Sequence, residues 1–256
     1  MLSSVAGEIY SWGSNRRGQL GPLTSNVTQR SLKMVPNPTR VELTNTDATC
    51  CKEPRYCSAG ANHSAIITDD GSVVLWGDLT YLKTADDNPI TKRPNQTDYS
   101  WLPPKLFGGF PVVHLVSGWS HLVALTDAGT VFTWGRSHLG QLARVRAQHD
   151  PIPSPVKFPR IGEQSSCITH LASGSEHVLA TDISGQLYVW GWNEHGMCGL
   201  GESDRTIIAA PKWTVDEPHL VHLTACSQLC KHPKIIMIGA GYGHSFALKW
   251  CDDCRH

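Results

Sequence analysis

Four histidines lie at a fixed distance after a glycine, and they are the first residues whose type and spacing could do chemistry. The pattern Gly-x-x-His ends at His63, His121, His177 and His244. Imidazole nitrogens bind metals and transfer protons, which would suit a ring of metal ligands. A single metal site would not need one histidine in every repeat, however, and buried polar atoms are normally hydrogen-bonded. We therefore predict that each histidine is structural and hydrogen-bonds a backbone group within its own repeat.

Short cysteine pairs towards the C-terminus offer a second candidate, a zinc site. Zinc takes about four soft ligands in a tetrahedral arrangement, and closely spaced cysteine pairs suit it. The available ligands are Cys226, Cys230, His232, Cys251, Cys254 and His256. The first pair falls in a loop between repeats and the second in an irregular terminus. We therefore expect free thiols, no metal and no cofactor, with a structural zinc ion as the alternative.

Glu194 and His195 are adjacent and have the residue types of an acid–base pair. Neighbouring side chains point to opposite sides of a strand or diverge in a loop, so these two are not expected to act on one substrate atom. The sequence contains no Gly-x-Ser-x-Gly, His-Glu-x-x-His, Gly-x4-Gly-Lys-Ser/Thr or Gly-x-Gly-x-x-Gly motif. Enzymes of these classes have no motif support, and we expect no catalytic residues.

The charge balance argues against a function that depends on nucleic acid or an anionic membrane. Lys plus Arg number 22 and Asp plus Glu number 22, so the formal net charge is zero. Phosphate backbones and anionic membranes both select positive charge. The basic run 144–146 is short, and we interpret it as a solvated loop. No apolar stretch is long enough to cross a bilayer, so no membrane insertion is expected.

A second repeated pattern ends in a Trp-Gly pair. A glycine turn and a short β-branched or aromatic run precede Trp12, Trp76, Trp134 and Trp190. Glycine after Asp or Ser supplies the positive φ of a hairpin turn, and such runs are typical of strands. In three repeats the tryptophan follows the histidine by thirteen residues. Each repeat is therefore predicted to be a β-hairpin whose tryptophan packs between neighbouring repeats.

A glycine six residues after the tryptophan completes the repeat. It stands at Gly18, Gly140 and Gly196, whereas Leu82 occupies the corresponding place after Trp76. Successive histidines are 58, 56 and 67 residues apart. A unit of this size cannot bury its own apolar face, so neighbours must stack. Radially stacked all-β units of this length are typical of propeller blades.

The stretch from Gly7 to Gly21 contains Trp-Gly and Gly-Gln-Leu-Gly, and it resembles the repeat of the regulator of chromosome condensation family. The resemblance covers most of the chain. It implies an all-β fold, a β-propeller of RCC-type repeats, which has seven blades in that family. We predict one propeller domain over residues 1–250 and a short tail over residues 251–256. The partial repeats are 7–21, 57–82, 114–143, 170–201 and 236–249.

The chain begins with a Trp-Gly half repeat and ends with a histidine strand from Ile235 to Lys249. A ring whose last blade is completed by both termini would have this order. Three complete hairpins and two halves amount to four blades, however, which is fewer than the family ring. We expect blades to be missing from this chain, as in a truncated gene product or isoform, with a different closure as the alternative.

Within the family, several stretches are similar to members that act as guanine nucleotide exchange factors; they are 117–124, 132–136, 174–177 and 190–199. The resemblance implies a protein-interaction propeller that acts on a small GTPase and regulates secretion. One alternative is a non-catalytic scaffold or adaptor. Another is a regulatory partner of a diphthamide or tRNA-modification enzyme, because a fungal relative of that kind carries a similar Trp-Gly-Trp-x-Glu-His-Gly stretch.

Trp119 and Trp192 lie outside the repeated positions and flank repeat turns. Together with Glu176, Glu194 and His195 they are the candidates for contact with a partner. The partner is expected to be a protein, with a small GTPase as the one that the resemblance implies, rather than nucleic acid. We expect a cytoplasmic location, with the nucleus as the alternative.

Overall fold

The structure is a computed structural model, and its described residues form β-strands and one short 3-10 helix. It describes residues 2–3, 7–23, 33–43, 53–82, 99–144, 149–159, 167–200, 214–221, 223 and 234–250. The predicted tail and the cysteines of the predicted zinc alternative lie outside these residues.

Five antiparallel sheets follow one another along the chain. The first sheet contains β1 (Leu2–Ser3), β2 (Ile9–Ser14) and β3 (Met34–Val41). The second contains β4 (Pro54–Ala59), β5 (His63–Thr68), β6 (Val73–Gly77) and β7 (Tyr99–Leu102). The third contains β8 (Val112–Ser117), β9 (His121–Thr126), β10 (Val131–Arg136) and β11 (His149–Pro155).

The fourth sheet contains β12 (Ile168–Ser173), β13 (His177–Asp182), β14 (Leu187–Trp192) and β15 (Thr214–Val221). The fifth contains β16 (Lys234–Ala240) and β17 (Ser245–Trp250). The 3-10 helix (Pro104–Phe107) connects the second and third sheets. Every sheet is a meander in which strands pair in chain order, as the hairpin signals predicted. The predicted all-β fold with blade-like repeats is confirmed.

The tight turn between the second and third strands of a sheet requires glycine. Gly71 has a φ of 76°, which L-residues rarely adopt. A Cβ atom on Gly71 would also lie 2.4 Å from Cβ of Pro111, at the start of the next sheet. Glycine at this turn therefore allows both the hairpin and the approach of the neighbouring sheet.

The apolar core lies between consecutive sheets, so no sheet buries its own face. Trp76 packs with residues of the first and second sheets, including Ile9 and Val41. Trp134 packs between the second and third sheets against Phe107 of the 3-10 helix, with ring centroids 5.8 Å apart. Trp190 packs between the third and fourth sheets. These three tryptophans are fully buried, as expected for packing between repeats.

Two of the buried tryptophans also hydrogen-bond across the sheet interface. Trp76 Nε1 donates to the carbonyl of Gln19, at 3.0 Å, and Trp190 Nε1 donates to the carbonyl of Gln141, at 2.9 Å. Both carbonyls belong to the Gly-Gln-Leu loop of the preceding sheet. The third repeated pattern in the sequence therefore supplies a hydrogen-bond acceptor for the tryptophan of the next repeat.

Two tryptophans, Trp134 and Trp12, do not make this hydrogen bond within the described residues, and both lie where the repeated sequence pattern is interrupted. Trp134 follows the repeat in which Leu82 replaces the loop glycine, and its indole N–H has no acceptor among the described residues. Leu82 instead packs in the same apolar cluster as Trp134. Trp12 lies in the first sheet and is 37% exposed, so the prediction that it packs between blades does not hold within the described structure. No described sheet precedes it.

We expect Trp190→Phe to lower the free energy of unfolding by about 1–2 kcal/mol more than Trp134→Phe. Both changes replace a fully buried indole with a smaller phenyl ring. Only Trp190→Phe also breaks an indole–carbonyl hydrogen bond and leaves the Gln141 carbonyl without this donor. Urea unfolding followed by circular dichroism measures the difference. Equal losses for the two variants would show that this hydrogen bond contributes nothing to stability.

Candidate protein-interaction site

The Gly-x-x-His turns and the loops after the Trp-Gly pairs lie at the same end of the sheets, which we name the turn face. Antiparallel pairing places them together, because His63, His121 and His177 are each opposite the glycine of a Trp-Gly pair. Hydrogen bonds join the two segments, such as the one from the Trp192 amide to the Glu176 carbonyl, at 2.8 Å. Every predicted partner-contact residue therefore belongs to one end of the sheets.

Each turn is built around a histidine ring that lies directly over the glycine of the motif. A Cβ atom on Gly118 would be 2.0 Å from Cε1 of His121. The corresponding distances are 2.2 Å at Gly60 and Gly174 and 2.3 Å at Gly241. The glycine and the histidine are therefore one structural unit, in which the missing side chain makes room for the imidazole.

Two of the histidines, His121 and His177, bond to hydroxyl groups of the next sheet, and not to a backbone group of their own repeat as the sequence analysis expected. Nε2 of His121 lies 3.2 Å from Oγ of Ser173, and Nε2 of His177 lies 2.9 Å from Oγ of Ser245. His63 Nε2 has no partner among the described residues. The difference arises because the imidazole, folded over its glycine, points out of its own sheet towards the neighbour.

Burial keeps these imidazoles neutral. Loss of hydration lowers the pKa of His63 to about 4 and that of His177 to about 4. Burial and the neighbouring imidazoles lower the pKa of His121 to about 3. His244 is exposed, since no described sheet follows it. Neutral, enclosed rings of this kind act as packing elements.

Glu176 is buried, which disfavours the contact with a partner that the sequence analysis predicted. Its side chain is 7% exposed, and its carboxylate accepts a 2.6 Å hydrogen bond from Nε2 of Gln141 in the preceding sheet. Desolvation raises the pKa of this carboxyl, although the bond from Gln141 opposes the shift. His121 Nδ1 lies 3.9 Å from the carboxylate, but its depressed pKa makes this contact one with a neutral ring. Glu176 therefore connects the third and fourth sheets.

Trp119 lies on the surface of the turn face beside a residue that sequence reasoning missed, Tyr242. Their exposed fractions are 43% and 66%, and their ring centroids are 5.9 Å apart in an edge-to-face arrangement. The Trp119 amide donates to the Ser175 carbonyl at 2.7 Å, and Ser175 Oγ donates to the Tyr242 carbonyl. Tyr242 could have been found from the sequence, because it follows the motif glycine as Trp119 does.

A shallow cavity of about 250 Å³ opens beside these aromatic side chains. The Gly-x-x-His turns of four sheets line it with small residues and backbone atoms; the contributing stretches are 59–61, 117–119, 173–175 and 240–242. None of these lining residues has a charged side chain, so the cavity is suited to contact with an apolar or hydrogen-bonding group of a protein.

The loop after β14 carries the remaining predicted residues. Glu194 and His195 are exposed, and Trp192 is half-buried against the core of the fourth sheet. The rings of Trp192 and His195 meet edge to face, with centroids 5.4 Å apart. Trp192 therefore supports the loop from the core side, and the loop presents Glu194 and His195 to solvent.

Arg144 is not solvated, although the sequence analysis interpreted the basic run 144–146 as a solvated loop. Its side chain is largely buried and forms a 3.0 Å ion pair with Asp150 of β11. It also donates to the carbonyls of Leu142 and Thr133, both at 2.9 Å. Charge alone could not identify this arginine as a residue that ties a loop to a strand.

The described residues contain no group of three or more His, Cys, Asp and Glu side chains arranged to hold a metal ion. Among them there is also no helix of the length and hydrophobicity needed to cross a membrane. The turn face is thus built from aromatic, small and a few exposed polar residues.

Comparison with known proteins decides the family. The profile of the regulator of chromosome condensation (RCC1) repeat matches residues 6–67, 128–181 and 184–248, and a second RCC1-repeat profile matches residues 112–141 and 168–196. The chain belongs to the RCC1-repeat family. The resemblance identified in the sequence is thereby confirmed.

A curated relative of this RCC1-repeat chain is the secretion-regulating guanine nucleotide exchange factor of Bos taurus. It is 33% identical over 269 aligned residues, which cover 97% of this chain and 50% of the relative. The chain thus spans about half the length of the curated relatives it matches. The exchange-factor likeness expected from the sequence is confirmed.

Solved structures agree with the fold. The structural alignment with human WBSCR16 has a TM-score of 0.70 at 20% sequence identity. It covers 98% of this chain and 58% of the WBSCR16 chain. The alignment with Prp20p from Saccharomyces cerevisiae, a structure described with its binding to Gsp1p and histones, also has a TM-score of 0.70 at 20% identity. It covers 96% of this chain and 54% of the Prp20p chain. At this identity the likeness shows the fold.

We expect Gly118→Ala to destabilise the protein by about 1–3 kcal/mol, because its methyl group would overlap the His121 imidazole. In the background of His121→Ala the same change should cost much less, since the ring is absent. Thermal unfolding of the two single variants and the double variant forms a double-mutant cycle. Additive losses would contradict the glycine–histidine unit.

We expect the free energy of unfolding to fall as the pH is lowered from about 6.5 towards 4. The buried histidines have depressed pKa values when folded and ordinary ones near 6.5 when unfolded. The unfolded state then binds more protons than the folded state. Each buried histidine therefore lowers the free energy of unfolding by about 1.4 kcal/mol for each pH unit of decrease in this range. Glu176 opposes the trend, because its raised pKa favours protonation of the folded state.

Urea unfolding at a series of pH values measures this dependence. His121→Asn should reduce the slope, whereas His195→Asn, which changes an exposed side chain, should leave it unchanged. A stability that stays constant between pH 6.5 and 4 would contradict neutral buried histidines.

Proposed function

We propose that this RCC1-repeat chain uses the turn face to bind a small GTPase and to promote release of its guanine nucleotide. The observation that carries the proposal is the 33% identity to a secretion-regulating guanine nucleotide exchange factor, over 97% of the chain. Regulation of secretion is the process that this relative's name suggests for the present protein.

The architecture is compatible with exchange because exchange requires no covalent chemistry. A factor that binds the nucleotide-free GTPase more tightly than the loaded form shifts the equilibrium towards release, and the coupling is reciprocal. Binding surfaces, and not acid–base groups, are therefore what the chain must supply. The absence of catalytic motifs in the sequence fits this requirement.

The turn face has the features of a binding surface. Exposed aromatic residues are enriched where proteins meet, and truncating one at the centre of an interface commonly costs 2 kcal/mol or more. Trp119 and Tyr242 form such a pair at the edge of the cavity, and Glu194 adds an exposed charge on the neighbouring loop. The GTPase would contact these side chains, with Glu176 and the histidines holding the loops in place from beneath.

We expect the purified chain to accelerate release of labelled guanine nucleotide from a small GTPase, and Trp119→Ala to reduce that acceleration about 10-fold or more. Glu194→Ala should reduce it less, because an exposed charge mainly affects association. The measurement is the nucleotide-release rate across a panel of small GTPases, with and without the chain.

Matched controls lie at the opposite end of the sheets. Ile183 is exposed in the turn that follows β13, and Asp127 is exposed in the turn that follows β9. Ile183→Ala and Asp127→Ala should leave the rate unchanged. Binding without acceleration would identify a scaffold instead. Selective capture of a metal-carrying or tRNA-modifying protein would identify the adaptor alternative.

A further inference from the structure

Arg136 is half-buried on the turn face, and among the described residues its guanidinium has neither a hydrogen-bond acceptor nor an ion pair. It ends β10 in the third sheet, which packs against the second sheet on one side and the fourth on the other. A guanidinium carries five N–H donors, and partial burial without acceptors costs it hydration. These donors are therefore available to an acceptor from another molecule.

The ring of Tyr81, in the loop after β6, holds this guanidinium in place. The Cζ atom of Arg136 lies over the ring, 5.8 Å from its centroid. His149, which is opposite Arg136 in the sheet, meets the same ring edge to face with centroids 5.8 Å apart. A guanidinium over an aromatic face keeps its N–H groups for hydrogen bonds, and its planar fork matches the two oxygens of a carboxylate.

Glu176 is influenced by the charge of Arg136 but is not its acceptor. Desolvation raises the pKa of the Glu176 carboxyl, and the bond from Gln141 and the charge of Arg136 oppose that rise. The carboxylate is 7% exposed and accepts its hydrogen bond from Gln141 Nε2. Glu176 is thus held inside the protein, and the exposed part of Arg136 is the part that can meet a partner.

Arg136 is next to the exposed aromatic pair of the turn face. Its amide donates to the Ser120 carbonyl at 3.0 Å, and Ser120 follows Trp119 in the chain. Arginine, tryptophan and tyrosine are the residues that most often dominate the binding energy of protein interfaces. The turn face therefore offers an apolar contact and a cationic contact side by side.

We propose that Arg136 binds the carboxylate of an Asp or Glu side chain on the protein that contacts Trp119, through two parallel hydrogen bonds. The inference rests on the proposed function in taking that protein to be a small GTPase. Phosphate sites usually gather several backbone N–H groups or cations. The surface beside Arg136 offers instead an aromatic pair and a cavity lined without charged side chains, which suits a single carboxylate of a protein.

A labelled hexaglutamate peptide tests the contact without any GTPase. Fluorescence anisotropy at low salt should show binding of this peptide to the purified chain and much weaker binding of hexaglutamine. Arg136→Gln should raise the dissociation constant for hexaglutamate about tenfold, the effect of losing a hydrogen-bonded charge pair. Arg55→Gln removes the same charge from an exposed site in β4, at the opposite end of the sheets, and should leave binding unchanged.

Further variants separate the planar fork from the charge. Arg136→Lys keeps the charge without the fork and should still bind more weakly than the wild type. Tyr81→Phe keeps the aromatic face and should bind normally, whereas Tyr81→Leu should raise the dissociation constant about threefold. Sodium phosphate and sodium acetate of equal ionic strength should compete with the peptide equally. Displacement by phosphate at concentrations where acetate has no effect would identify a phosphate site and overturn the proposal.

The same variants, assayed with small GTPases, keep this inference distinguishable from the proposed function. Peptide binding that depends on Arg136, in a chain that binds no GTPase, would support the carboxylate contact and reject the GTPase as the partner. Nucleotide release that the chain accelerates, with neither the release nor the peptide binding affected by Arg136→Gln, would reject the contact and keep the proposed function. Absence of peptide binding, or equal losses for Arg136→Gln and Arg55→Gln, would also overturn the contact.

Discussion

The structure depends on a donor in one sheet reaching a loop carbonyl in the sheet before it. The indoles of Trp76 and Trp190 make this bond to Gln19 and Gln141, and the same indoles fill the apolar space between sheets. An unpaired indole N–H in such an interior would lose its hydration without compensation. At these two interfaces the loop glycine, the strand tryptophan and the spacing between them therefore act together to position one sheet on the preceding sheet.

Periodicity predicted the architecture because its causes are local or recur in every repeat. The positive φ at Gly71 and the apolar strand that ends in Trp76 are visible in a short window of sequence. The residue pairs across sheets are not visible in this way. Glu176 looked like a surface charge because its acceptor role depends on Gln141, which is 35 residues away. Arg144 looked solvated because its ion pair with Asp150 and its bonds to the Leu142 and Thr133 carbonyls cannot be inferred from a run of charge.

The candidate site depends on the different roles of the four positions in each Gly-x-x-His turn. In the motifs of His63, His121 and His177 the glycine and the histidine are occupied in packing, so they cannot adapt to a partner without loss of stability. The two residues between them are not fixed by this packing in every turn: Glu176 is buried against Gln141, whereas Trp119 and Tyr242 are exposed. The turns thus combine buried packing residues with exposed aromatic residues on one face.

The interface between the second and third sheets is held differently from its neighbours. It has no indole–carbonyl bond, and Trp134, Leu82 and Phe107 fill it with apolar contact. Apolar association weakens as water is cooled, whereas hydrogen bonds do not share this dependence on hydration entropy. On cooling, we therefore expect the tryptophan contact between the second and third sheets to lose a larger share of its stabilisation than the contacts made by Trp76 and Trp190, each of which includes a hydrogen bond.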